Sequence, residues 1–354
     1  MSKVLVGMSG GVDSAVTAYL LKMSGYEVEG VTLRMWQSDA GGNGRCCEID
    51  DARQVCDVLG IPYHVVGCME EFRKTVTEPF VESYLRGETP NPCVECNRYV
   101  KWDRMLAAAD LMHAEYIATG HYASVVQLPN GRYSVKKGEA PGKDQTYMLW
   151  QLSQEQLART LMPLGKLSKA EVRRIAEVAG LPVANKKESQ DICFVPDGHY
   201  SDYVEEHAEG EIPGEGNFVD EAGNIRGRHK GFFHYTIGQR KGLGIAMGHP
   251  IFVKEIRADQ NEVVLSEEEA LFGREVNLGN LNFIGIPSLA EGETIRVKAK
   301  IRYHHNEADA DLTMLPDGRA KLVFDEPVRA ATPGQTSVFY DENACLLGGG
   351  KILS

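Results

Sequence analysis

The chain opens with a short apolar run, a glycine-rich turn and a helix-like segment, and this order constrains the fold more than any other feature. Residues 3–8 (KVLVGM) have the composition of a buried strand, and residues 14–23 repeat their apolar side chains at helical spacing. The turn between them, GMSGGVDS at residues 7–14, supplies glycines for a tight strand-to-helix connection. Such a connection is typical of open α/β sheets, so we expect an N-terminal α/β domain with a doubly wound parallel sheet.

The same alternation continues beyond the first helix. Residues 27–35, 63–68 and 114–119 are predicted strands, and residues 50–59 are a predicted helix. The pattern changes after about residue 196, where glycines and short strand-like runs take over. We therefore expect three domains: an α/β domain at 1–196, a small central linking domain at 197–268 and a C-terminal all-β barrel at 269–354.

The glycine-rich turn is a predicted phosphate site. Gly10 and Gly11 allow the backbone to approach an anion, and the N-terminus of the following helix favours negative charge. The turn lacks the lysine of G-x-x-x-x-G-K-[ST] and the spacing of G-x-G-x-x-G. It resembles the S-G-G-x-D-S loop of ATP pyrophosphatases, which adenylate a substrate and release pyrophosphate. The alternative is a turn that only joins strand to helix.

Eight cysteines allow several kinds of chemistry. Cys93 and Cys96 form one C-x-x-C, and no second pair accompanies it, so we predict no structural zinc site and no other metal ligands. Cys96 and Cys193 are candidates for persulfide chemistry, in which one thiol carries a sulfur atom and another resolves it. Small buried thiols are the alternative for both. Cys68 and Cys345 are predicted to be buried thiols, and Cys46, Cys47 and Cys56 to lie in a loop and at the start of a helix.

Several longer segments together carry a family resemblance. They occur in this order: GMSGGVDS (7–14), NPCVECNRYVKW (91–102), TGHYA (119–123), GKDQTYML (142–149), MPLGKLSKAEVRRIA (162–176), KKESQDICFVPDGHY (186–200), GFFHYTIGQRKGLGI (231–245) and IRYHH (301–305). The chain closely resembles the tRNA-specific 2-thiouridylases over its whole length. This resemblance implies a tRNA sulfurtransferase that uses ATP to adenylate C2 of the wobble uridine, position 34, and then replaces the oxygen with persulfide sulfur. The products are 2-thiouridine, AMP and pyrophosphate, and the implied partners are tRNA and a persulfide donor or sulfur-relay protein.

The resemblance also implies roles for individual residues. Cys193 matches the cysteine that carries the persulfide, and Cys96 matches the other catalytic cysteine; whether the two pair as a disulfide stays open. The matched ATP-binding residues are Gly7, Met8, Ser9, Gly10, Gly11, Val12, Asp13, Ser14, Leu33 and Gly120. The matched substrate-binding residues are Asn91, Pro92 and Cys93 at the target base, and Lys143, Asp144, Gln145, Arg302 and Tyr303 on the tRNA.

Cys93 departs from the family pattern, which commonly has an acidic residue there. A thiol cannot act as that carboxylate, and it leaves Cys93, Cys96 and Cys193 as three thiols that an iron–sulfur cluster would require. We prefer the persulfide mechanism and keep the cluster as the alternative. Mg²⁺ is expected with ATP, and Asp13 is the nearest carboxylate to position it, although it is also a candidate helix cap.

The charge distribution bears on the tRNA partner. The net charge is −12, yet residues 225–241 and 296–305 each carry basic side chains without acidic ones. Residues 225–241 also contain aromatic side chains, so both stretches are predicted RNA contacts, with solvated strand faces as the alternative. No run approaches the length of a membrane helix and the start is unlike a signal peptide, so we predict a cytoplasmic protein without a membrane partner.

Two other function classes compete. Another ATP pyrophosphatase, a synthetase acting on a small metabolite, would share the phosphate loop, but the sequence shows no obvious glutaminase domain to supply ammonia. A non-enzymatic, ATP-regulated RNA-binding protein would leave Cys96 and Cys193 without a task.

Overall fold

The computed structural model describes residues 1–36, 49–140, 142–186, 192–195, 199–245 and 247–354. Cys46, Cys47 and the segment ESQD at 188–191 lie outside these residues. The predicted burial of Cys68 and Cys345 is confirmed. Cys56, predicted in a loop or at a helix start, is buried in the second half of the helix Ile49–Leu59.

The strands alternate with helices in the first part of the chain and dominate the second. The strands are β1 (Lys3–Gly7), β2 (Glu27–Arg34), β3 (Tyr63–Gly67), β4 (Tyr116–Ala118), β5 (Ala123–Gln127), β6 (Tyr133–Lys137), β7 (Thr160–Leu161), β8 (Gly216–Val219), β9 (Ile225–His229), β10 (Phe252–Arg257), β11 (Glu262–Ser266), β12 (Phe272–Phe283), β13 (Thr294–Lys300), β14 (Ala308–Met314), β15 (Ala320–Arg329), β16 (Thr336–Tyr340) and β17 (Leu346–Ile352). The α-helices are α1 (Val12–Met23), α2 (Ile49–Leu59), α3 (Met69–Phe72), α4 (Glu78–Leu85), α5 (Pro92–Glu95), α6 (Asp103–Leu111), α7 (Gln154–Ala158), α8 (Lys169–Val178) and α9 (Tyr200–His207). Arg73–Thr77 and Cys96–Trp102 are π-helical, and Thr146–Met148, Phe232–His234, Ala258–Gln260 and Glu268–Leu271 are 3₁₀ turns.

A five-stranded parallel sheet with the order β3-β2-β1-β4-β7 forms the core of the N-terminal part. Alternate residues of β1 point to opposite faces of the sheet, and both faces are apolar, so helices cover both of them. Val4 and Val6 pack in the cluster that contains α1, α2 and α8, whereas Leu5 packs in the cluster that contains α6. The predicted doubly wound sheet is confirmed.

The topology places the glycine-rich turn where an open sheet binds ligands. Strand β1 has β2 on one side and β4 on the other, so the chain direction across the sheet reverses at β1. The turn follows the carboxyl end of β1, at this switch point.

The second part of the chain contains two all-β units. Strands β10-β11-β8-β9 form a mixed four-stranded sheet, and β12-β15-β14-β13-β16-β17 close into an antiparallel barrel. The predicted C-terminal β-barrel is confirmed. The β5–β6 hairpin of the N-terminal part contacts the barrel directly, since Ser134 Oγ donates to Leu346 O at 2.8 Å.

Candidate nucleotide and thiol site

The glycine-rich turn has the geometry of an anion cradle. Gly10 has a φ of 74°, a conformation that side chains other than glycine rarely adopt. The hydroxyl of Ser14 donates to Gly11 O at 3.0 Å and ties the turn together. Gly11 is the N-cap of α1, and no side chain of the described residues caps this helix. The first turn of α1 therefore offers its backbone N–H groups to a ligand.

A pocket of about 250 Å³ lies against this turn. The predicted ATP-binding residues that line it are Gly7, Met8, Ser9, Asp13, Ser14, Leu33 and Gly120. Gly120 approaches α1 closely, because a Cβ atom there would lie 2.9 Å from the backbone nitrogen of Ser14. The structure thus brings together the turn, the end of β2 and the segment after β4 around one cavity.

Sequence reasoning missed part of the pocket wall. The further lining residues are Val31, Thr32, Met35, Lys101, Met105, Thr119, His121 and Gln145. Gln145, predicted as a tRNA contact, also lines the wall, where its side-chain oxygen accepts from the backbone N–H of Tyr122 at 3.0 Å. The end of the predicted strand at 114–119 could have indicated Thr119, but nothing local indicates Lys101 or Met105.

His121 is a neutral member of this wall. Burial lowers the pKa of His121 to about 3, and its Nδ1 lies 2.9 Å from the hydroxyl of Thr119. The ring also lies 5.5 Å from that of Trp102. A histidine in this state is uncharged near neutral pH, so it shapes the pocket without adding a cation.

The carboxylate of Asp13 has two partners within the protein. Tyr122 donates its hydroxyl to Asp13 Oδ1 at 2.7 Å, and Lys169 Nζ lies 2.8 Å from both carboxylate oxygens. Lys169 is the first residue of α8, which packs against α1. Within the protein, Tyr122 and Lys169 thus already bind the carboxylate that the sequence offers for positioning Mg²⁺.

A second lysine reaches the turn itself. Lys186 Nζ donates to Gly10 O at 3.0 Å and forms an ion pair with Asp51. The backbone around Lys186 is held by Arg173 of α8, which donates to Ala184 O at 3.1 Å and to Lys186 O at 3.3 Å. Helix α8 therefore supports both lysines that meet the turn.

Cys96 lies directly behind the pocket wall. Its side chain is buried, and its Sγ lies 3.6 Å from the sulfur of Met35, which lines the pocket. Cys96 begins the π-helical segment Cys96–Trp102, and such segments are frequent at functional sites.

Cys193 is half-buried and packs against the same hydrophobic cluster that contains Cys96. The next residue, Phe194, anchors this short described stretch among aromatic rings. Its ring lies 5.6 Å from that of Phe72, 5.2 Å from Phe80 and 5.0 Å from Tyr203. The predicted catalytic thiols thus share one core.

Three predicted substrate segments meet beside the barrel. Tyr303 lies near both Asp144 and Cys93: burial is the main cause that raises the pKa of Tyr303, and these two neighbours add to it. The rings of Tyr303 and Tyr147 are 5.9 Å apart. Asn91 donates to the sulfur of Met148 at 3.6 Å, next to Tyr147. Pro92 is buried in the first turn of α5, and Lys143 is half-buried.

Arg302 lies between two domains. One nitrogen of its guanidinium donates to Ile237 O at 2.9 Å and also to the hydroxyl of Thr332. This places Arg302 between the segment that precedes β10 and the end of the barrel.

The three thiols of the cluster alternative have different surroundings. Cys93 is exposed, Cys193 is half-buried and Cys96 is buried beside Met35. Within the described part of the chain, no group of three cysteine, histidine or acidic side chains is placed to hold a metal ion. The described residues therefore show no ready-made ligand set for an iron–sulfur cluster.

The two basic stretches differ from what their sequence suggested. Arg296 and Lys298 of β13 pair with acidic side chains of β14 and β15. In the other stretch, the predicted stacking surface formed by Phe232, Phe233 and Tyr235 is wrong, because all three rings are buried. Arg240 and Lys241, in contrast, are exposed. These exposed cations remain the stronger candidates for phosphate contact.

Family models match nearly the whole chain in three pieces. A model described as a tRNA methyl transferase HUP domain matches residues 2–197, and one described as a tRNA methyl transferase PRC-barrel domain matches 201–267. A third, described as an aminomethyltransferase β-barrel domain, matches 274–352.

Among the described residues, no helix has the length and apolar character of a membrane span.

Curated relatives are similar from end to end. The tRNA-specific 2-thiouridylase MnmA of Lachnoclostridium phytofermentans is 49% identical over 360 residues, which cover 100% of both chains. The protein of the same name from Acetivibrio thermocellus is 49% identical over 358 residues, covering 99% of both.

Solved structures are similar over part of the chain only. The U34-tRNA thiolase NcsA of Methanococcus maripaludis with its [4Fe-4S] cluster is 22% identical with a TM-score of 0.37, over 60% of this chain and 74% of that one. A 4-thiouridine synthetase in complex with RNA and ATP is 20% identical with a TM-score of 0.33, over 58% of this chain and 50% of that one.

Proposed function

Because this chain belongs to the family of tRNA-specific 2-thiouridylases, we propose that Cys96 and Cys193 deliver sulfur to a uridine that the nucleotide pocket has activated. The protein is a tRNA sulfurtransferase that converts the wobble uridine to 2-thiouridine. ATP is its nucleotide. The residue roles below are our proposal.

The first step is adenylation of the tRNA base. The C2 oxygen of the uridine attacks the α-phosphorus of ATP, and pyrophosphate leaves with the bonding electron pair. The N–H groups at the start of α1 and the hydroxyls of Ser9 and Ser14 stabilise the phosphate charge. Leu33 and Gly120 border the nucleotide. We propose that Mg²⁺ enters with ATP as a counter-ion of its phosphates, and we assign it no carboxylate of the turn.

The second step is sulfur transfer. Cys193, loaded as a persulfide, attacks C2 through its terminal sulfur, and AMP leaves. Cys96 then attacks the Cys193 sulfur, which releases the 2-thiouridine and leaves a Cys96–Cys193 disulfide. A thiol reductant and a persulfide donor, a protein relay or a small persulfide, restore the starting state. One distance supports this assignment most directly: Sγ of Cys96 lies 3.6 Å from the sulfur of Met35, which lines the nucleotide pocket.

The target base is proposed to enter beside the barrel. A base must leave its stack to reach an enclosed pocket. Asn91, Pro92 and Cys93 stand next to Asp144 and Tyr303, so one surface unites the base segment with two proposed tRNA contacts. Lys143, Gln145 and Arg302 complete the proposed tRNA set. We retain the domain boundaries 1–196, 197–268 and 269–354 as part of this proposal.

A thiolation assay with tRNA, ATP and a persulfide donor tests the assignment. Cys193→Ser and Cys96→Ser should each abolish 2-thiouridine, measured by mass spectrometry of digested nucleosides, while pyrophosphate release and tRNA binding persist. Cys345→Ser, at a buried thiol in the barrel domain, is the matched control and should retain thiolation. Normal 2-thiouridine yield from Cys193→Ser would refute the persulfide role.

Cys93→Ser separates the persulfide mechanism from the cluster alternative. Without a cluster, the variant should thiolate tRNA with persulfide as the only sulfur source, in protein freed of iron by chelation. Anaerobic reconstitution followed by iron quantification provides the opposite test. Activity that appears only in iron-loaded protein and vanishes in Cys93→Ser would support the cluster instead.

A further inference from the structure

The phosphate-binding turn carries no lysine of its own, although ATP brings several negative charges to it. We propose that Lys186 supplies the cation that holds the β- and γ-phosphates of ATP and the pyrophosphate that leaves, and that helix α8 positions it for this task. This role rests on the adenylation step proposed above and names a residue for it from outside the turn.

The location of Lys186 is the first support. Its ammonium nitrogen lies 3.0 Å from Gly10 O in the turn. Its ion-pair partner, Asp51, lies in the first turn of α2. Gly10 is the residue at which the backbone adopts the left-handed conformation that opens the cradle. A phosphate held by the turn would therefore lie within reach of Nζ.

The support of Lys186 by α8 is the second observation. Arg173 donates to the carbonyls of Ala184 and Lys186, so the backbone that carries Nζ is fixed to the helix. The same helix begins with Lys169, which is bound to Asp13. The two lysines differ in what they contact: Lys169 binds the Asp13 carboxylate, whereas Lys186 binds the backbone of the turn at Gly10 O as well as Asp51.

The electrostatics of Lys186 fit an incoming anion. Burial lowers the pKa of Lys186, so its charged form is disfavoured there and an approaching anion would stabilise it. A phosphate oxygen offers a stronger charge-assisted bond than the neutral carbonyl of Gly10. When the bond between the α-phosphorus and the bridging oxygen breaks, the electron pair moves to pyrophosphate, and the cation stabilises that added charge.

The proposal can be tested without turnover by measuring the affinity of the full chain for inorganic pyrophosphate with calorimetry. Lys186→Met should weaken pyrophosphate binding by about tenfold or more, and Lys186→Arg should restore most of the loss, because one charge-assisted hydrogen bond is removed and regained. Lys254→Met is the matched control: Lys254 pairs with Glu221 in the central domain, far along the chain from the turn, and its loss should leave binding unchanged. Equal affinity in wild type and Lys186→Met would overturn the proposal.

A second variant changes the affinity in the opposite direction and guards against misfolding of the first. Asp51→Asn removes the carboxylate that competes for Lys186, so pyrophosphate should bind more tightly than in wild type. Unchanged or weaker binding would count against Lys186. Single-turnover AMP formation separates the proposed adenylation step from the proposed role of Lys186. If wild type forms no AMP with tRNA and ATP, the adenylation step is refuted. If wild type and Lys186→Met form AMP equally, only the role of Lys186 is refuted.

Discussion

At the scale of single residues, environment decides the chemistry that a side chain can perform. His121 lines the nucleotide pocket, a position that invites an acid–base role. Burial lowers its pKa to about 3, so the ring is neutral near neutral pH. The sequence shows a histidine after a predicted strand, but its desolvation arises from residues such as Trp102 that fold against it.

The lowered pKa of His121 predicts a pH-dependent stability. Its folded pKa lies below the unfolded value of 6.5, so the unfolded chain binds the extra proton and the folded state loses stability as the pH falls below 6.5. Between pH 7 and pH 5, wild type should lose about 2 kcal/mol more unfolding free energy than His121→Asn. Urea unfolding followed by tryptophan fluorescence measures it, since Trp102 contacts the ring.

Other histidines provide the control for this experiment. His249 is an exposed histidine, and His249→Asn should follow the wild-type pH dependence. If His121→Asn loses as much stability on acidification as wild type does, the neutral state assigned to His121 is wrong.

At the scale of elements, local sequence signals explain where most segments begin but not what they meet. Strands β1 to β4 and helices α1 and α2 follow from periodicity and glycine placement, whereas the short edge strand β7 was not predicted. Strand β17 does not, because its three consecutive glycines resemble a turn. The structure explains them: a Cβ at Gly349 would lie 2.7 Å from the ring of Trp150, so only glycine allows this strand to pack.

Helix α8 shows the same division. Ser168 and Glu171 form a capping box that fixes its start, a pattern visible in the sequence. The contact between Lys169 and Asp13 joins residues 156 positions apart, and no local signal predicts it. The candidate site could be predicted where one segment supplies it, as in residues 7–14, and was missed where tertiary packing brings a side chain in.

The capping box of α8 should therefore affect nucleotide binding as well as stability. Ser168→Ala removes the cap and should cost about 1 kcal/mol of unfolding free energy, while the KM for ATP rises because Lys169 follows directly. Ser153→Ala removes the capping box of α7 and is the matched control, with a similar loss of stability and an unchanged KM. An equal effect of the two variants on the KM would show that α8 does not position the turn.

At the scale of the whole molecule, the net charge of −12 must be reconciled with a polyanionic substrate. The sequence identifies basic stretches, but it does not show which cations the fold has already neutralised. All four cations are exposed, but Arg296 and Lys298 pair with acidic side chains across the barrel strands, whereas no such ion pair of Arg240 or Lys241 is found among the described residues. Local pairing, and not the sum of charges, should determine where tRNA phosphates bind.

A pair of double variants with the same change in net charge tests this. Replacing Arg240 and Lys241 with glutamine should weaken tRNA binding by about tenfold near 0.1 M salt and reduce the slope of log K against log salt by roughly 1.5, because two phosphate contacts are lost. Replacing Arg296 and Lys298 with glutamine lowers the net charge by the same amount. These two cations already pair with acidic side chains, namely Asp311, Asp325 and Asp309. The slope of log K against log salt should therefore stay near that of wild type. Filter binding over a salt series gives both slopes. If the two double variants lose affinity alike, bulk charge governs the interaction; if only the barrel variant does, the tRNA crosses β13 and the exposed pair faces solvent.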